Sequence, residues 1–208
     1  MKKLQLLVIL LFVSVSIFAL DAKEENVTHY LGLGTGYSHY TYTSDGDTSY
    51  YLYGQNITFK GEDTIKGSDN LSFTTYLSYL FPSIESSGGT NMSSLFDTTF
   101  IQDLSTGLTF SRKLSDKSTI YSCFGLHANM VLLSNDYVSA LTYDFGVFAS
   151  SGIKTSLGSD LYLDVNFKVN YDFVEYYYTN SSYGSESGTT DDFFASGVSA
   201  NIGATYIL

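Results

Sequence analysis

The chain has 208 residues, enough for one domain or two small ones. Charged residues are 15% of it and aromatic residues 16%, with 19 tyrosines, 18 glycines, one proline and no tryptophan; few charges with many aromatics do not suit a disordered chain, and one cysteine makes no disulfide scaffold. The net charge of −11 lacks the basic footprint that nucleic-acid binding requires.

At the N-terminus, Lys2 and Lys3 precede an apolar run from Leu4 to Leu20 that only Gln5, Ser14 and Ser16 interrupt. A short basic region, a hydrophobic stretch and then small residues form the pattern of a secretory signal peptide. It predicts a leader over residues 1–20, cut near 19–22 after Ala19 or Ala22, and a mature domain over 21–208. The competing reading is an uncleaved anchor, because a run of about 17 apolar residues is at the lower limit for spanning a bilayer. Cys123 lies far from the cut, which excludes a lipid-anchored cysteine there and leaves it without an intramolecular disulfide partner.

Beyond the leader the period is two. Leu161, Leu163, Val165, Phe167, Val169, Tyr171 and Phe173 alternate with Tyr162, Asp164, Asn166, Lys168, Asn170 and Asp172. An ordinary strand has about 5–6 residues, whereas a membrane-crossing strand needs about 9–11, so this run is long enough to cross. The same rule predicts strands over 27–43, 48–60, 70–81, 98–112, 118–132, 138–152, 160–178 and 191–208. Connections 44–47, 82–97, 133–137 and 179–190 fall on one side, and 61–69, 113–117 and 153–159 on the other with both termini.

Alternation fits a soluble barrel as well as a membrane barrel; the composition of the faces separates them. Leu31, Leu33, Thr35 and Tyr37 alternate with Gly32, Gly34, Gly36 and Ser38, and Ile120, Phe124, Leu126, Met130 and Leu132 with Tyr121, Cys123, Gly125, His127 and Asn129. A soluble barrel with the large residues inside needs a charged outer face, and the face opposite them here is glycine, serine and threonine with few charges. Small and polar residues suit a narrow lumen, and the apolar set suits lipid. Tyrosines near the strand ends (Tyr40, Tyr42, Tyr50, Tyr51, Tyr53, Tyr176, Tyr177 and Tyr178) are expected to form an interfacial girdle. The expected fold is an all-β, eight-stranded, antiparallel up-and-down transmembrane barrel.

The last residues, from Asn201 through Gly203 and Tyr206 to Leu208, read polar-x-Gly-x-x-aromatic-x-hydrophobic. This resembles the terminal signal of bacterial outer-membrane barrels that the barrel-assembly machinery reads; Leu208 departs from it, since Phe is commonest there. With the leader and the strand pattern, the chain resembles small eight-stranded barrels of the OmpA, OmpX and OmpW type over nearly all its mature length. The resemblance implies export to the bacterial outer membrane, contact with its lipids and with the assembly machinery, and a structural or surface-interaction role through extracellular loops. A narrow channel for small or hydrophobic solutes, as in OmpW, is the alternative. A soluble secreted β-sandwich is the third reading.

Chemistry is sparse. His29 and His39 share the lipid-facing parity and His127 the inward one, and no serine, histidine and acid fall in an arrangement that suits attack on a lipid. No metal-ligand spacing occurs, no cofactor is expected, and the glycines from Gly32 to Gly36 alternate along a strand instead of preceding a helix. The chain therefore reads as a non-enzyme. The acidic segment from Thr179 to Asp192 is expected to be a hydrated surface loop, with a cation or host component as a possible ligand. Asp103, His127, Asp144, Asp164, Lys168 and Asp172 share the inward parity and are expected to form a polar lumen network. With hairpins centred near residues 156–157 and 115, Lys168 would pair with Asp144 and His127 with Asp103.

Overall fold

A computed structural model describes residues 27–44, 48–65, 67–68, 70–190 and 194–208; the predicted leader lies outside the described residues. Ten strands follow in order: β1 (His29–Ser44), β2 (Thr48–Thr64), β3 (Leu71–Leu80), β4 (Ser83–Ser86), β5 (Thr98–Lys113), β6 (Ser118–Ser134), β7 (Val138–Ser156), β8 (Leu161–Ser181), β9 (Gly184–Thr190) and β10 (Phe194–Ile207). Neighbours pair antiparallel, and β1 pairs with both β2 and β10, so the sheet closes on itself.

The wall has eight positions because two of them are interrupted. β3 pairs with the Asn56–Thr64 part of β2 and β4 with its Tyr50–Tyr53 part. Between them stand Phe81 and Pro82, and a proline cannot donate to the ladder. Likewise β10 pairs with the lower part of β8 and β9 with its upper part. Each predicted strand has an observed counterpart. The two longest segments read as loops are richer than expected, since 82–97 contains β4 and a short 3-10 turn (Ser93–Leu95), and 179–190 contains β9.

The alternation sorts side chains as its chemistry requires. Leu31, Leu33, Leu126, Val165 and Phe167 lie on the outer surface, all about half exposed or more. Asn56, Thr74, Asp103, Asn129 and Asp144 face inward and are almost wholly buried. Apolar side chains outside and polar ones inside is the inverse of a water-soluble barrel, and it is stable only if lipid covers the outer band. Two glycine pairs bring the wall close. Gly107 lies opposite Gly125, and a Cβ on Gly125 would fall 2.5 Å from the Gly107 Cα.

Two expectations about position are corrected. Tyr40, Tyr42 and Tyr50 are not girdle residues: Tyr40 and Tyr42 share the inward parity of Ser38, Tyr50 pairs with Tyr42 on the same face, and the Tyr40 hydroxyl donates to Asp103 across the lumen. The outer tyrosines there are Tyr51 and Tyr53, whose rings stack on His39. The hairpin registers also differ. His127 faces Ser105 and Gly146, while Lys168 faces Ser150 and Ser199. The reason is where the turns close: the β5–β6 turn is bonded from Leu114 to Ser118 and the β7–β8 turn from Leu157 to Leu161, both further along than counted from the sequence.

Candidate functional site: a layered lumen

Three layers fill the barrel from the short-turn end to the loop end. In the deepest, Lys60 on β2 places its Nζ 2.7 Å from Asp164 on β8 and 3.2 Å from Glu62. Lys154 on β7 donates to Glu62, which stands halfway round the wall. The Tyr121 hydroxyl donates to Asp164 at 2.6 Å. Aromatic faces complete the ammonium sites: Lys60 Nζ is 4.2 Å from the Tyr121 ring centre and Lys154 Nζ 4.6 Å from that of Tyr30. Two cations meet two anions, so this layer is balanced, and the charge-assisted bonds offset the desolvation of burying it.

The middle layer is built on Asp103. Lys168 Nζ lies 2.6 Å from both of its oxygens, and Tyr40 and Ser105 donate to it as well. Ser105 Oγ is 2.9 Å from His127 Nδ1, and His127 Nε2 is 3.6 Å from Asp172. Asn129 and Asn170 donate to Asp172. A serine, a histidine and an acid thus stand in line, but the last gap is longer than a hydrogen bond. Ser105 is fully buried and its hydroxyl is already engaged by Asp103 and Lys168, so it serves the packing of the plug.

All six residues expected in the lumen network are buried inside the barrel. His127 Nδ1 lies 3.6 Å from Asp103 Oδ1, the two meeting diagonally and not in direct register, whereas Lys168 is not paired as expected. Lys168 takes Asp103 instead of Asp144. Asp164 belongs to the deeper layer. Asp144 faces Asn129 on one side and Glu175 on the other, and no cation pairs with it among the described residues. Lys60 was not singled out by sequence, Glu62 and Lys154 fell in segments expected to be connections, Tyr40 was expected in the girdle, and Tyr121 was placed only as one of the lumen-facing set.

Above the plug is an apolar cup of about 300 Å³ at the loop end. Its wall comes from Leu52, Ile84, Val131 and Leu133, with Met92 and Phe96 contributed by the segment that follows β4. That segment is tied down because Met92 N donates to Ile84 O and Ser93 Oγ accepts from Ile84 N. Tyr42, Tyr50 and Glu175 supply the polar edge. Glu175 points inward because β8 carries a bulge: Phe145 pairs with Val174 but Gly146 with Asp172, leaving Phe173 unmatched. From there the alternation inverts.

No protein-family model matches the sequence, and no curated protein is significantly similar to it. Solved structures do match in fold. AlkL, an outer-membrane protein solved in DMPC bilayers, superposes with a TM-score of 0.60 at 13% identity, over 90% of this chain and 93% of its own. The outer-membrane protein OprG of Pseudomonas aeruginosa gives 0.55 at 10% identity, over 86% and 95%. Neisserial surface protein A gives 0.54 at 13%, over 88% and 99%. The chain has the fold of the small outer-membrane β-barrels.

In this barrel the terminal strand closes the wall. Asn201 and Gly203 face the lumen, where Gly203 meets Gly34 on β1, while Tyr206 and Leu208 stand on the outer surface. Leu208 N donates to His29 O, so β10 is held to β1 up to its last residue. At the other end, β8 and β9 rise as a hairpin beyond the closed wall. Glu186 beside Tyr177 holds that exposed phenol above its ordinary value.

Proposed function

We propose that the protein is an integral bacterial outer-membrane barrel with a closed lumen, exported by a cleaved leader, that works as a surface-binding and envelope-structural protein and not as a continuous pore. The observation that carries this reading is the plug. Lys154–Glu62 and Lys168–Asp103 cross the interior at different levels, with Tyr121 and Tyr40 filling the space beside them. An eight-stranded barrel has an interior just wide enough for side chains to fill, and here they fill it with bonded charges.

The apolar outer band supports an address among membrane lipids. The parity of Asn201, Gly203, Tyr206 and Leu208 in a fully paired last strand supports their reading as the assembly signal. With the lumen closed, binding falls to the loop end, where the cup and the β8–β9 hairpin are presented outward. The purified barrel in planar bilayers should give no steady conductance, and intact cells should expose the loop end to added protease while the wall stays protected. A stable ohmic pore would overturn the closed-lumen reading in favour of the narrow channel. Recovery of the protein from periplasmic extract without detergent would overturn the membrane reading itself.

A further inference from the structure

We propose that the loop-end cup is a binding site for a small amphipathic cation, an amine or quaternary ammonium carrying a compact apolar body. The lumen contains a worked example of ammonium binding in its own deepest layer. There each lysine Nζ is held by a carboxylate and lies over a tyrosine ring. The cup repeats those acceptors without the lysine. Glu175 and Asp144 face each other across the β7–β8 pairing, Tyr42 and Tyr50 stand on the lining, and no cation pairs with either acid among the described residues.

Charge counting points the same way. The deepest layer sets Lys60 and Lys154 against Glu62 and Asp164. Among the described residues the upper lumen sets Asp103, Asp144, Asp172 and Glu175 against Lys168, with His127 as the one further basic side chain. Lys168 is committed to Asp103. Asp144 is wholly buried one inward step below the cup-lining Thr142; neither oxygen makes a hydrogen bond of ordinary geometry, though the Tyr42 hydroxyl lies beside it. Above this acidic floor the walls are Leu52, Ile84, Val131 and Leu133. An ammonium head would meet the acids and the tyrosine faces, where cation–π attraction adds to the charge. An apolar body would occupy the cup, whose volume of about 300 Å³ is at the small end of ligand sites.

The inference rests on the proposed closed, outward-facing barrel, yet it is read by a different measurement, so conductance and binding can fail separately. The test is methyl NMR of the full barrel in nanodiscs of zwitterionic lipid, titrated with phenylbutylammonium, phenylbutanol and phenylbutyrate. Saturable shifts are expected at Ile84, Val131 and Leu133, with the outer-wall Val165 silent as the control for partition into lipid. The ammonium should bind about tenfold more tightly than the alcohol, and the carboxylate most weakly. Asp144→Asn with Glu175→Gln should bring ammonium and alcohol within about twofold of each other. If that pair does not insert, Glu175→Gln alone should lower the preference by about threefold. Equal affinity of ammonium and alcohol in the wild type, shifts at Val165 matching those in the cup, or an unchanged preference in the variants would each overturn the proposal.

Discussion

Lys168 on β8 and Asp103 on β5 meet across the lumen, with the lysine Nζ 2.6 Å from both carboxylate oxygens although two wall strands separate their own. Both side chains are almost completely removed from solvent. Removing one partner therefore leaves a buried charge whose compensation is gone, at a cost of about 3–5 kcal/mol. Lys168→Met and Asp103→Leu should each destabilise by that order. The double variant should lose much less than their sum, and Lys168→Met with Asp144→Leu should show no comparable coupling. Unfolding by denaturant in detergent micelles measures these variants, with Asp144→Leu alone as the reference for the last, and additive losses for Lys168 with Asp103 would remove the pairing.

The two faces of β8 make a second prediction. Val165 is on the outer surface, whereas Asn166 turns inward and accepts a hydrogen bond from Asn201. Val165→Arg should cost about 2–4 kcal/mol if the position is near the bilayer midplane. Asn166→Ser should keep most of the stability. The fraction of compact, faster-migrating protein on unboiled gels reports each, and the opposite order of effects would invert the faces.

Gly125 tests the close approach of β5 and β6. A Cβ there would lie 2.0 Å from the Thr106 carbonyl oxygen, so backbone would have to move. Gly125→Val is expected to destabilise by about 1–3 kcal/mol, the range of overpacking. Gly158, in a turn where a Cβ meets nothing within 4 Å, should accept alanine with little change. Equal thermal stability of both variants would show that the wall has more room at Gly125 than its geometry allows.

Tyr206→Ala combined with deletion of Leu208 should lower the yield of membrane-inserted barrel well below that of Ser185→Ala on the outer hairpin. Pulse-labelled outer-membrane fractions compare the two. Equal yields would deny the terminal residues a part in assembly.

Much of the wall was legible because period-two patterning survives over long strands, and inward or outward parity needs only counting. Asp103, His127, Asp144, Asp164, Lys168 and Asp172 could be placed inside in that way. Their partners could not, because a contact such as Lys154 with Glu62 depends on which strands stand opposite each other around a closed ring. The short-range misses have a different cause. A turn centred one residue later moves every partner in its hairpin by two, as it did for His127, and the sequence around Ser115 and Leu157 fits more than one turn. The apolar cup was hidden for a third reason: Met92 and Phe96 belong to an irregular segment with no period to read.

The unmatched Phe173 has a consequence for how this barrel could diversify. Below it, β8 contributes Lys168 and Asp172 to the plug; above it, the same strand contributes Glu175 to the mouth only because one residue is extra. Pairing the same residues without the bulge would turn Glu175 toward the bilayer and bring Val174 inward, whereas deleting Phe173 itself would make the ladder regular and keep Glu175 opposite Asp144; the strand beneath stays in register either way. Whether the bulge is kept thus decides which side chains of β8 the rim presents, and the seal below it is inherited unaltered.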